Sequence, residues 1–156
     1  MNTHARPLRA STPLLTALFA TLAACTERAG PAEPGEPTGT YRLVERNGER
    51  LPVVVVQDPD FPARTEIAGG RLHLAPDGTY EEATALRTVV YDEAAIDTLR
   101  DRGTYRASRA GNEQRIEFHS TEGFGTFYGR LDGRRLTTVR TVALWGPGEQ
   151  YTWARE

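Results

Sequence analysis

Short runs rich in Val, Thr, Tyr and Phe, each closed by Gly, Pro, Asn or Asp, follow one another from Thr40 to the end of the chain. Punctuation that frequent leaves room for strands of ordinary length but not for an amphipathic helix of several turns. Tyr41 to Glu45 reads as a first strand, Asn47-Gly48 as a type I′ hairpin turn and Arg50 to Val56 as the partner strand. Pro59 and Pro62 make Asp58 to Pro62 a loop, because two residues there lack a donor. Thr65 to Leu74 is a third strand, and Gly69-Gly70 inside it signals a bulge or a sharp coil of the sheet. Pro76-Asp77-Gly78 then turns the chain into Thr79 to about Val90. Later runs are Gln114 to Ser120, Gly125 to Leu131, Arg135 to Leu144 and Gln150 to Arg155, with Gly111 and Asn112, Asp132-Gly133 (a second I′ signal) and Gly146-Pro147-Gly148 at turns. Tyr91 to Arg102 is ambiguous: Ala94, Ala95, Ile96 and Leu99 suit one side of a short helix or the continuation of two long strands. About eight to ten antiparallel strands in sequential order fit an all-β, up-and-down closed barrel, which leaves no long edge exposed.

Gly-Thr-aromatic recurs at Gly39-Thr40-Tyr41, Gly78-Thr79-Tyr80, Gly103-Thr104-Tyr105 and Gly125-Thr126-Phe127. Its glycine intervals of 39, 25 and 22 residues rule out a solenoid period. The expected role is a glycine leaving a turn, with Thr and an aromatic opening a strand and the aromatics filling or capping a barrel end. These starts, the Glu66 to Leu74 strand and the Asp77-Gly78-Thr79-Tyr80 hairpin resemble the lipocalin-like small barrels of many bacterial lipoproteins, over Gly39 to Glu156. The resemblance implies a barrel that takes small apolar molecules. Tyr41 stands where typical lipocalins have Trp.

Ahead of the β-rich region, Arg6 and Arg9 precede an uncharged run, Leu14 to Ala24, that ends in small residues. That is the three-part pattern of a secretory signal. The run has about half the apolar length needed to span a bilayer. Leu22-Ala23-Ala24-Cys25 resembles the bacterial lipobox, which implies cleavage before Cys25 and acylation of its sulfur. Residues 1–24 are thus expected as signal, 25–38 as a lipidated, Pro- and Gly-rich disordered tether, and 39–156 as the barrel domain. Thr26, not Asp, follows the cysteine, and by the lipoprotein sorting pattern this favours the periplasmic side of the outer membrane.

Charge and reactive residues exclude several classes. All 19 basic residues are Arg; without Arg6 and Arg9, 17 remain against 21 acids, a net of about −4 that argues against nucleic acid. Cys25 is the one cysteine, so no internal disulfide and no Cys-rich zinc set can form. His73 and His119 alternate with apolar neighbours and are expected on the solvated face. Ser120 beside His119 points to the opposite face, and neither Ser108 nor Ser120 lies in a nucleophile-elbow sequence. Glu81-Glu82 and Asp92-Glu93 read as solvated charge, not as calcium or acid-base sites. Neither cofactor nor metal is expected, and no enzymatic activity. The candidate pocket aromatics are Tyr41, Tyr80, Tyr105, Phe118, Phe127, Tyr151 and Trp153. An eight-strand barrel either holds one small ligand among such residues or is filled by them, and filling is the preferred reading. Two functions therefore stand: a lipid-anchored barrel binding a small hydrophobic ligand, or a non-enzymatic envelope interaction or inhibitor protein.

Overall fold

The computed structural model describes residues 36–111, 113–141 and 148–156; the expected signal and nearly all of the tether lie outside them. Among the described residues there are ten strands and no helix: β1 (Gly39–Arg46), β2 (Glu49–Arg50), β3 (Val53–Gln57), β4 (Ala63–Leu74), β5 (Thr79–Val90), β6 (Glu93–Ala110), β7 (Glu113–Ser120), β8 (Thr126–Asp132), β9 (Arg135–Arg140) and β10 (Glu149–Arg155). Neighbours in sequence pair antiparallel from β4 to β10, β10 pairs with β1, and β1 closes on β4 through Gly39↔Leu74 to Arg42↔Arg71. Eight strands thus form a closed antiparallel barrel, with β2 and β3 attached outside that circuit.

Local chemistry explains most of the boundaries. Asn47 and Gly48 both take positive φ, 50° and 82°, as a type I′ turn requires. The run after it does not remain the partner of β1. Glu49–Arg50 pairs with β1, but Pro52 has no donor to offer a ladder, and past it Val53–Gln57 crosses to β4. Asp58 holds the next loop by accepting from the N–H groups of Asp60 and Phe61 at 2.9 and 3.1 Å. The β4 register shifts between Ile67 and Gly69, so the expected bulge is present. The ambiguous stretch is strand: Tyr91-Asp92 turns the chain, and β6 pairs with β5 without a shift from Glu93↔Val90 to Thr104↔Thr79. The turn after β8 is Gly133-Arg134, one residue later than expected, and only Gly133 has positive φ, so it is not type I′. Residues 142–147, the end of the expected Arg135 to Leu144 strand and most of the turn after it, lie outside the described residues.

Inward positions grade from apolar to charged along the wall. On β9 they read Leu136, Thr138, Arg140; on β10, in the opposite direction, Trp153, Tyr151, Glu149. The apolar part is one core containing Tyr41, Leu72, Leu74, Phe118, Phe127 and Trp153, each at most 1% exposed. Burying large side chains of this kind contributes about 1.5–3 kcal/mol each and is the main stabilising term.

Candidate functional site

All seven candidate aromatics point into the barrel, and the described geometry brings them into contact largely with one another. The rings of Phe118 and Phe127 stack at 4.6 Å, Tyr80 meets both edge-on at 5.2 and 5.9 Å, and Tyr105 and Phe118 lie 6.3 Å apart. Tyr151 and Trp153 form a second pair at 6.4 Å. Their polar tips are also engaged. Tyr41 donates to the Pro37 carbonyl and Tyr105 to that of Ala75, both at 2.7 Å, and Trp153 Nε1 to Thr138 Oγ1 at 3.1 Å. Tyr80 donates to Asp101 at 3.0 Å and Tyr151 to Glu149 at 2.6 Å. Burial, reinforced by these carboxylates, raises the phenol pKa of both residues, so the hydroxyls stay donors.

The four Gly-Thr-aromatic starts converge on this interior by two different means. Gly39, Gly78 and Gly125 have positive φ, as expected of residues leaving a turn. Gly103 instead lies within β6, where an added Cβ would sit 1.9 Å from the His119 carbonyl oxygen. Its role is close approach between β6 and β7, not a turn.

Sequence reasoning missed the charged part of the interior. Glu81 is exposed, but Glu82 shares the inward face of Tyr80 and is buried, contrary to its expected solvation. Arg140 donates to Glu82 and, at 3.0 Å, to Asp101 Oδ2, while its guanidinium lies 4.1 Å from the Phe127 ring centroid. Ser120 donates to the other Asp101 oxygen at 2.6 Å, and Thr84 to Glu82 at 3.3 Å. Three formal charges, none more than 9% exposed, thus sit in one hydrogen-bonded cluster that carries one excess carboxylate. Burial lifts the Glu82 carboxyl above its ordinary range; Arg140 opposes that lift and Asp101 adds to it. Burial opposes the charge on Arg140, but Glu82 and Asp101 outweigh it and raise its pKa. Alternation from Tyr80 could have revealed Glu82; the convergence with Arg140 requires barrel closure. Arg46 and Glu149 form a further, mostly buried ion pair. In chemical terms the Arg140 cluster is a support: its hydroxyls donate to carboxylates, and its acids are enclosed.

His73 and His119 are on the outer surface, bonded to Thr40 and Thr126 at 3.1 Å. Ser120 faces inward, opposite His119, as alternation predicts. Among the described residues, no group of three or more His, Cys, Asp or Glu is placed to hold a metal.

The outer wall carries an open groove of about 730 Å³ across β7 to β10, lined by residues including Arg115, Tyr128, Arg130, Thr137, Val139 and Gln150. Tyr128 lies opposite Val139, and they are 57% and 40% exposed, so an apolar centre stands in solvent. Arg115 and Arg130 flank it, each paired with Glu113, at 3.1 and 2.8 Å. Tyr and Arg are among the residues enriched where proteins meet. Compared with known protein families, with curated proteins and with solved structures, the chain finds no match.

Proposed function

We propose that this chain is a lipid-anchored protein of the cell envelope that works through its outer surface, as a non-enzymatic interaction or inhibitor protein. One contrast carries the reading. The aromatics that could have formed a ligand platform are spent on each other and on internal hydrogen bonds, whereas Tyr128 and Val139 stand exposed in an outward groove. A fold alone supplies no chemistry, and the reading assigns no catalytic residue. The lipobox at Cys25 supports the anchor, and Thr26 supports the periplasmic side of the outer membrane. Carriage of a small hydrophobic ligand is the second reading, supported by the likeness to lipocalin-like barrels.

The test places a photo-crosslinking residue at position 128 and, as a control, at His73 on another part of the wall, in cells making the full chain. The proposal expects a repeatable protein adduct from position 128 and none from 73. Equal adducts from both, or none from either, would contradict it. For the anchor, the unsubstituted chain should incorporate a labelled fatty acid in cells and Cys25→Ser should not; an unlabelled unsubstituted chain would count against lipidation.

A further inference from the structure

A wall strand of a closed barrel is paired along both edges, but β6 pairs with β5 from Glu93 to Thr104 and with β7 only from Gly103 to Ala110, so its stretch before Gly103 is paired on the β5 side alone. On the β7 side the last main-chain bond runs from Thr121 N–H to the Arg102 carbonyl, at 2.9 Å. From there to the hairpin tip, no described strand pairs with that edge. Glu93 to Thr98 and Arg100 are exposed, and Ile96 at 71% and Tyr91 at 65% are the most exposed large apolar side chains among the described residues.

The unbroken β5–β6 register determines which backbone groups face this edge. Arg102 bonds toward β7, whereas Tyr105 N–H bonds to the Gly78 carbonyl at the start of β5. Even-numbered residues therefore face away from β5 and odd-numbered ones toward it. Ala94, Ile96, Thr98 and Arg100 present their N–H and C=O groups outward. One of these groups is covered: Thr98 N–H donates to Asp97 Oδ1 at 2.7 Å. Such covers restrain indiscriminate edge pairing.

We propose that this edge pairs antiparallel with the same edge of a second copy, about a two-fold axis with Ile96 opposite Ile96. The free groups meet only where even residues face even residues, so the axis must pass through a residue. Centring on Thr98 sets Ala94 against Arg102, whose carbonyl Thr121 already holds. Centring on Leu99 sets Asp97 against Asp101; on Asp97, Asp97 against itself and Glu93 against Asp101; on Ala95, Glu93 against Asp97. Like charges directly opposite are destabilising. Centring on Ile96 avoids every one of these conflicts. Ala94 then faces Thr98, Ala95 faces Asp97, Glu93 faces Leu99, and the two isoleucines bury each other. The partner's hairpin tip ends beside Arg100, just short of the β7 ladder, and brings Asp92 opposite that arginine. The Thr98 N–H exchanges its Asp97 partner for the carbonyl of Ala94 in the other copy. This pairing does not depend on the anchor or on the groove around Tyr128.

The test uses the full chain in mild detergent. Ile96→Cys should give an inter-chain disulfide on mild oxidation, above the baseline of the unsubstituted chain with its Cys25. Thr98→Cys should not, because in this register the two copies of position 98 are about 13 Å apart along the strand. Ile96→Pro removes an outward N–H and none bonded to β5, and in sedimentation velocity it should convert dimer to monomer. Ile96→Lys, which opposes like charges on the axis, should do the same and serves if the proline variant does not fold. A monomer at every concentration, equal cross-linking at 96 and 98, a dimer untouched by both substitutions, or a disulfide between the Ile96→Cys variant and a different protein would each overturn the proposal.

Discussion

Arg140 is the residue on which the interior depends most, because it faces two carboxylates and an aromatic ring at once. Removing it leaves Glu82 and Asp101 buried without their counter-charge, so Arg140→Ala should cost about 3–5 kcal/mol in urea unfolding. Adding Glu82→Gln should recover part of that loss; a double variant as unstable as the sum of its parts would contradict the coupling. The raised pKa of Glu82 sets the sign of a pH effect. A carboxyl that binds its proton more tightly folded than unfolded stabilises fully below the unfolded value, and that contribution is lost as pH rises through the folded one. The window therefore opens at the ordinary glutamate value of 4.5 and extends upward. Thermal midpoints should show Glu82→Gln gaining on the unsubstituted chain as pH rises through it, and a constant difference would refute the assignment. Glu82 was read as solvated with Glu81, although alternation with Tyr80 places it on the inward face. Its partnership with Arg140 was not legible, since β9 lies three strands round the wall from β6 and four from β5.

At the scale of elements, turn chemistry made most strands readable, and the departures occur where pairing, not local preference, decides. Pro52 redirects the chain from β1 to β4, and the side chains of Ala94, Ala95, Ile96 and Leu99 suit helix or strand until β5 supplies a ladder. Gly103 looked like the other Gly-Thr-aromatic glycines, yet its constraint is a neighbouring carbonyl, which no local sequence encodes. Gly103→Ala should therefore destabilise by at least about 1–3 kcal/mol through overpacking of β6 on β7. Gly69→Ala, with open space around the new carbon, should stay within about 0.5 kcal/mol. Denaturant midpoints compare the two directly, and similar losses would show that the β6–β7 approach is not the constraint.

For the molecule as a whole, closure was legible because strand after strand alternated without a helical period, and closure in turn decides what the barrel can hold. Inward aromatics pack at one part of the interior and hydrogen-bonded charges at another, while exposed apolar surface lies outside, around Tyr128 and along the free edge at Ile96. Composition alone could not separate a filled interior from a ligand chamber, since the same rings serve either. In the proposed function the chain's own side chains occupy the barrel and its outer surface does the work. Native mass spectrometry of the full chain, released from its membrane in mild detergent, tests it most directly. Masses explained by polypeptide and covalent acyl groups alone are expected, whereas a stoichiometric small molecule held non-covalently through purification would point to a ligand chamber instead.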